Sequence, residues 1–280
     1  MTAINLATVW EKYKTTREWN KLSPNSQRTY TTVMKSAIED YFLLGNRVNQ
    51  ITETRVDELY QKLFKTKPSH ANMLMRVLRR VFSVAKRKGW VKDNPFREMG
   101  LVKTEPRTNR WSKEEVKLYF DTAWAKQKYD LAMVVRLCYE WAQRPGDIIA
   151  LTRANFNSEL TEVKLTQQKT GKKIHLPIQE ETTRYLKAIF AKQNKIFSLL
   201  ITIPERHING LHREHLKEIG ISQQLQIRDL RRTALIEMME SGATDAEAQA
   251  VGGHVDRQML NIYAPPTFKM AEAGLAKRFS

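Results

Sequence analysis

The 280-residue chain has a single cysteine, Cys138. That excludes an internal disulfide framework and a cysteine-built metal site, and it makes the reducing cytoplasm the expected compartment. No apolar run approaches the roughly 18 residues that a membrane span needs; the longest are Leu131 to Val135 and Tyr41 to Leu44, so no membrane partner is expected. The opening MTAINLATVWEKYK lacks a basic start followed by an apolar stretch, so no signal peptide is expected. There is no Walker A or dinucleotide-type glycine pattern, no H-E-x-x-H, no repeat and no low-complexity tract. His207, His212 and His215 lie close together, but without cysteine or H-E-x-x-H support they are expected to face solvent or hold the fold. Carboxylates at the spacing a metal nuclease needs are also missing. Lys169-Thr-Gly and Ser83-x-x-Lys86 match fragments of penicillin-binding enzymes, but the Ser-Asp-Asn element is absent. No cofactor and no metal are therefore expected.

Acidic side chains are scarce beside basic ones: Lys plus Arg number 47, Asp plus Glu 30, and the net charge is +17. Such an excess attracts polyanions. Residues 1–103 hold 20 basic and 9 acidic side chains, and 62–103 alone hold 12 against 2. A merely solubilising surface mixes its signs more evenly. At 41% apolar and 28% charged, the composition is that of a soluble globular chain.

The first part reads as all helix. A short helix is expected over 4–19. A second begins at Pro24 and runs to about Leu44 before Gly45. Thr52 caps a third, and Ser69 caps a fourth that ends at Gly89. On the fourth, Leu74, Val77, Leu78, Val81, Val84 and Ala85 share one side, while Arg76, Arg80 and Arg87 fall within about 40° of one another on the other. No acid between 62 and 92 compensates them locally. Arg76, Arg79, Arg80 and Arg87 are the candidate DNA-backbone contacts.

Asn94-Pro-Phe96 closes this domain, 1–103, and 104–111 reads as a linker containing Pro106. Ser112 and Glu115 form a capping box that opens a second domain, 112–280. That domain is mixed. Helices are expected over 118–125 and 131–141, and Pro145 either ends the latter or begins a short new turn. Glu159–Gln167 and Lys172–Ile178 read as a hairpin around Gln168-Lys-Thr-Gly171. Helices are expected over 180–192, 211–219, 230–241, 244–251 and 256–262, and two or three strands are too few for a doubly wound sheet.

Polar groups recur at the element boundaries: Arg144 in Glu140-Trp-Ala-Gln-Arg-Pro-Gly-Asp147, Lys169 at the hairpin tip, Arg228 and Arg231 in Ile227-Arg-Asp-Leu-Arg-Arg-Thr233, His254 after Gly252-Gly253, and Tyr263 nine residues later. Two arginines can hold the non-bridging oxygens of a phosphodiester and stabilise a pentacoordinate transition state. A tyrosine can attack phosphorus, and a lysine or histidine can protonate the departing sugar oxygen.

In this order and spacing, these boxes resemble the tyrosine recombinases of the phage-integrase type, across nearly the whole chain. The resemblance implies a DNA breaking-rejoining enzyme fold. An all-α core-binding domain would precede a mainly helical α+β catalytic domain with a small antiparallel sheet. It implies that Arg144 and Arg231 pair on the phosphate, that Lys169 is the general acid on the 5′ oxygen, that His254 donates to the phosphate, and that Tyr263 is the nucleophile forming a 3′-phosphotyrosine. The partners implied are duplex DNA with a short inverted-repeat core site, further copies forming a dimer and tetramer, and an optional accessory DNA-bending protein. Arg228 stands where the family usually has histidine, and arginine cannot serve as a neutral base near pH 7. Ala142 replaces a common glycine, and Asp147 a common glutamate. No arm-binding domain is expected ahead of the core-binding one. The tail, 264–280, carries Phe268, Met270, Leu275 and Phe279 among charges and is expected to pack either on its own domain or on a neighbouring copy, with the neighbour favoured. A non-catalytic DNA-binding regulator, favoured by Arg228, and type IB topoisomerase-like relaxation are the alternatives.

Overall fold

The first helices begin where a side-chain oxygen can take up free N–H groups. In the computed structural model, which describes residues 4–41, 47–191, 198–253 and 266–279, Asn5 caps α1 (Leu6–Lys14), Thr16 caps α2 (Arg17–Asn20) and Ser23 caps α3 (Pro24–Ser36). The single helix expected over 4–19 is therefore two. Thr16 Oγ1 donates to Tyr13 O at 2.7 Å and accepts from Trp19 N at 3.3 Å, which breaks the run. After Ser36 the chain widens into a π-helical turn, Ala37–Tyr41, and the end expected near Leu44 lies outside the described residues. Thr52 caps α4 (Glu53–Thr66) as the sequence predicts.

The helix α5 (Pro68–Arg87) starts two residues earlier than expected. Lys67, not Ser69, is its cap, because Pro68 occupies the first helical position, where a missing N–H costs nothing. The predicted apolar side of α5 is buried against α1, α3 and α4. Asn94 then holds the chain back onto α5, donating to Arg79 O at 3.1 Å and Ser83 Oγ at 2.9 Å. Order continues to Val102, which is bonded by Tyr60 and Asn72.

The chain divides into two compact units, Met1–Arg107 and Thr108–Ser280. The second is entered through Arg110, which grips Glu240 with two hydrogen bonds of 3.0 and 2.8 Å, and through Trp111 N, bonded to Thr233 Oγ1 at 3.0 Å. Ser112 and Glu115 close the predicted capping box of α6 (Lys113–Ala125). The helix α7 (Tyr129–Glu140) is buried from Leu131 to Val135 and again at Leu137 and Cys138, and packs against α6. Burial pushes the Cys138 thiol's pKa far up, which leaves it an inert core side chain. The short α8 (Pro145–Ile149) follows. The strands β1 (Glu162–Thr166) and β2 (Lys173–Pro177) pair antiparallel with Leu165 opposite Ile174, and their alternate residues are buried. The strand β1 starts three residues later than expected because the chain turns at 157–161, with Leu160 at φ 61°.

Next come α9 (Glu180–Phe190), α10 (Glu205–Glu218), α11 (Asp229–Glu240) and α12 (Asp245–Gly252). The helix α10 starts six residues before the expected 211, directly after Pro204. The expected 256–262 helix lies outside the described residues. A final helix, α13 (Phe268–Phe279), lies against α11. Among the described residues the chain is thus mainly helical with one two-stranded antiparallel sheet. No helix among them is long and apolar enough to cross a membrane.

Candidate active site

The arginine box is built by a forced turn. The helix α7 ends at Glu140 with Trp141 as its cap, and Ala142 then takes φ 49°, in the left-handed region. That costs a non-glycine residue about 1–2 kcal/mol, and it explains why glycine suits this position. The turn lets Pro145 open α8 with Arg144 as its cap. Arg144 is 22% exposed at its side chain, and its Nη1 lies 3.8 Å from Asp147 Oδ2, beyond hydrogen-bond length. The buried Asp147 instead uses Oδ1 to accept the Gln168 backbone N–H at 2.9 Å. The shorter carboxylate therefore ties the arginine box to the hairpin tip. Gln168 Nε2 returns a bond to Gly146 O at 3.1 Å.

The hairpin turn closes through Gln167 N to Lys172 O at 2.9 Å and Gly171 N to Gln167 O at 2.8 Å, with Gly171 at φ 69°. Lys169 stands exposed at that tip. Arg231, on the first turns of α11, is only 2% exposed. Its Nη1 donates to Ala142 O and its Nη2 to Gly252 O, both at 2.7 Å. One guanidinium thus bridges the arginine box and the glycine pair ahead of His254. Gly253 must be glycine, since it has φ 68° and an added Cβ would lie 2.6 Å from Gln167 Nε2. Arg228 sits exposed just before α11. His254 and Tyr263 lie outside the described residues.

The structure brings together the segments that carry Arg144, Lys169 and Arg231 and the chain leading to position 254. The expected DNA contacts belong to the other unit. There, Arg76 and Arg80 are exposed on α5. Arg87 is exposed too, but Glu18 of α2 pairs with it. The sequence window 62–92 offers no such acid, and the fold supplies it from elsewhere. Arg79 differs from the other three: its Nε donates to Phe96 O at 2.8 Å and its Nη2 to Met99 O at 2.6 Å. Its guanidinium is engaged with the segment that closes the unit. His212 and His215 are buried and hydrogen-bonded beside Tyr119, and no group of metal-binding side chains occurs among the described residues.

Sequence reasoning missed Gln143 and Gln167, both fully buried in this site. Glutamine is usually a surface residue, and nothing in its neighbours' spacing marks a buried one.

A family model described as the phage integrase family matches residues 108–270. The chain belongs to the phage integrase family. It is therefore a tyrosine recombinase, with DNA strand transfer as its class of chemistry. Two solved structures share its fold. A lambda integrase dimer bound to a COC' core site superposes with a TM-score of 0.77 at 17% identity, covering 93% of this chain and 77% of that one. A point variant of the Tn1549 transposon integrase (aa 82–397), in complex with a circular intermediate DNA, gives 0.76 at 15% identity, covering 98% and 99%. No curated protein sequence matches the chain. Against the family pattern, Ala142 and Asp147 now have physical accounts: the first accepts a strained turn, and the second holds the hairpin.

Proposed function

We propose that this integrase-family member is a site-specific recombinase that works without metal, using its own cations as the electrophilic groups. Tyr263 attacks the phosphodiester, so that a P–O(Tyr) bond forms and the P–O5′ bond breaks. Lys169 gives its proton to the departing 5′ oxygen, and Arg144 neutralises the non-bridging oxygens together with Arg228. Arg228 cannot accept the phenol proton, so that proton goes to water or His254. Rejoining reverses the step on a partner duplex. Arg231, which the resemblance pairs with Arg144 on the phosphate, is buried with both Nη atoms on backbone carbonyls, and in this proposal it holds the segments in place.

The observation that carries this reading is the Arg231 bridge from Ala142 O to Gly252 O, joined by Asp147 to the hairpin tip. Phosphodiester chemistry at one pocket needs these sequence-distant segments side by side. The helical first unit is the core-binding domain in this proposal, contacting phosphates through Arg76, Arg80 and Arg87 and leaving Arg79 to hold the fold. The lambda neighbours include a tetramer bound to a Holliday junction, which supports assembly of several copies on DNA. The tail helix α13 lies against α11 of its own chain, and its Phe268 and Leu275, 85% and 56% exposed, form the face left for another copy in this proposal; truncation after Thr267 should then weaken assembly on DNA.

The test is covalent adduct formation on duplexes from DNA flanking the chain's own gene, with a trapping nick and a chelator present. An adduct lost in Tyr263→Phe supports the proposal. Tight, salt-sensitive, sequence-specific binding without an adduct favours a non-catalytic regulator.

A further inference from the structure

Gln143 and Gln167 are 24 positions apart, yet their side-chain amides meet in the interior, with Gln167 Nε2 donating to Gln143 Oε1 at 2.7 Å. The other Gln167 N–H goes to Gly252 O at 3.0 Å, and its Oε1 accepts from Thr170 Oγ1 at 2.8 Å. Gln143 Nε2 donates to Trp141 O at 2.8 Å and Val251 O at 2.7 Å. All four amide N–H groups and both amide oxygens are thus engaged, which fixes both side chains in one orientation. Both residues are fully buried, so neither can touch DNA.

The place of the pair is informative. Gln143 adjoins Arg144, Gln167 lies two residues before Lys169, and Gly252 lies two before His254. Gly253 closes against the Gln167 amide so tightly that a Cβ there would clash. We propose that the Gln143–Gln167 amide pair is a positioning device that sets the hairpin lysine against Arg144 and the 252–253 segment. This rests on the reading of Lys169 as the general acid. Under that reading, the pair decides whether the Lys169 ammonium reaches the 5′ oxygen as the P–O5′ bond breaks.

A sulfur leaving group separates positioning from folding, because a thiolate departs without needing a proton. The full-length wild type first selects a cleavable duplex from a randomised, nick-containing pool by covalent capture. That duplex is then made with either a 5′-bridging oxygen or a 5′-bridging sulfur. Wild type, Lys169→Ala, Gln167→Met and Thr170→Val are compared on both, with DNA affinity measured alongside. On oxygen, Gln167→Met should cleave about 100-fold more slowly, within the range ascribed to a general acid. On sulfur it should return to within about threefold of wild type, as Lys169→Ala does, with affinity unchanged. Thr170→Val, at the exposed tip, should show a smaller loss of about tenfold with the same rescue, and it carries the test alone if Gln167→Met does not fold.

Equal losses on oxygen and sulfur, or no loss on either, would overturn the positioning role while leaving the recombinase reading intact. A wild type that captures no duplex through Tyr263 overturns the recombinase reading and this inference with it.

Discussion

Arg76 and Arg80 of the first unit and Arg231 of the second are held in opposite ways. On α5, Arg76 and Arg80 are exposed, where each offers a screened, additive attraction to a polyanion. In the second unit, Arg231 is buried with both Nη atoms on backbone carbonyls, so its charge is placed rather than displayed. An exposed cation can be lost with little effect on folding. A buried one is part of the fold, and its loss leaves two carbonyls and a cavity behind.

The sharpest way to break that contrast is Arg231→Ala. Losing two charge-assisted bonds in the interior should cost about 3–5 kcal/mol in urea unfolding and abolish covalent adduct formation. A change below about 1 kcal/mol would show that Arg231 is not built into the core. Arg79 and Arg76 repeat the comparison within one helix. Arg79→Ala should destabilise the protein by about 1–3 kcal/mol, since Phe96 O and Met99 O lose their donor. Arg76→Ala should stay within about 0.5 kcal/mol in stability, yet lower DNA affinity and reduce the salt slope by about one. If the two variants behave alike in both measurements, the division of labour on α5 is wrong.

A smaller effect is expected at Ala142. In Ala142→Gly, relief of the left-handed strain is offset by added chain entropy and by loss of a fully buried methyl, so stability should change by less than about 1 kcal/mol. A loss of about 2 kcal/mol or more would show that the turn is not strained.

The smallest effect concerns pH. Burial is the main cause that holds His212 below the usual histidine range, although its Nε2–H donates to Leu225 O at 3.0 Å. The unfolded chain takes up that proton first, near pH 6.5, so the stabilisation is complete above that pH and shrinks as pH falls toward the folded value. The neighbours include Tyr119 OH, His215, Asp229 and Arg213. The decline in Tm between pH 7 and 5.5 should be shallower, by about 1–2 °C, in His212→Asn. An unchanged slope would assign that decline to other groups.

Much of this was legible beforehand for local reasons. The apolar stripe of α5 follows from helical periodicity, the α6 start from the Ser112 and Glu115 pairing, and the β1–β2 hairpin from alternation around a glycine turn. The break at Thr16 and the early start at Pro68 were missed because a side chain's choice among neighbouring carbonyls and N–H groups, one or two residues apart, depends on tertiary packing. At the site, the order of the boxes supplied the candidate residues through the resemblance. It did not reveal that Asp147 bonds the Gln168 amide, or that Glu18 answers Arg87.

Motif order carried the resemblance to the family, and helical periodicity the helical first domain, because both are written in local spacing; the residues expected to handle a phosphodiester rest on that resemblance. Tertiary structure alone settled which cations are exposed and which are buried, and it alone created the Gln143–Gln167 contact. Those outcomes depend on desolvation and on meetings between groups far apart in the chain. No window of sequence contains both partners, and burial, which sets the cost of leaving either unpaired, exists only once the core has closed.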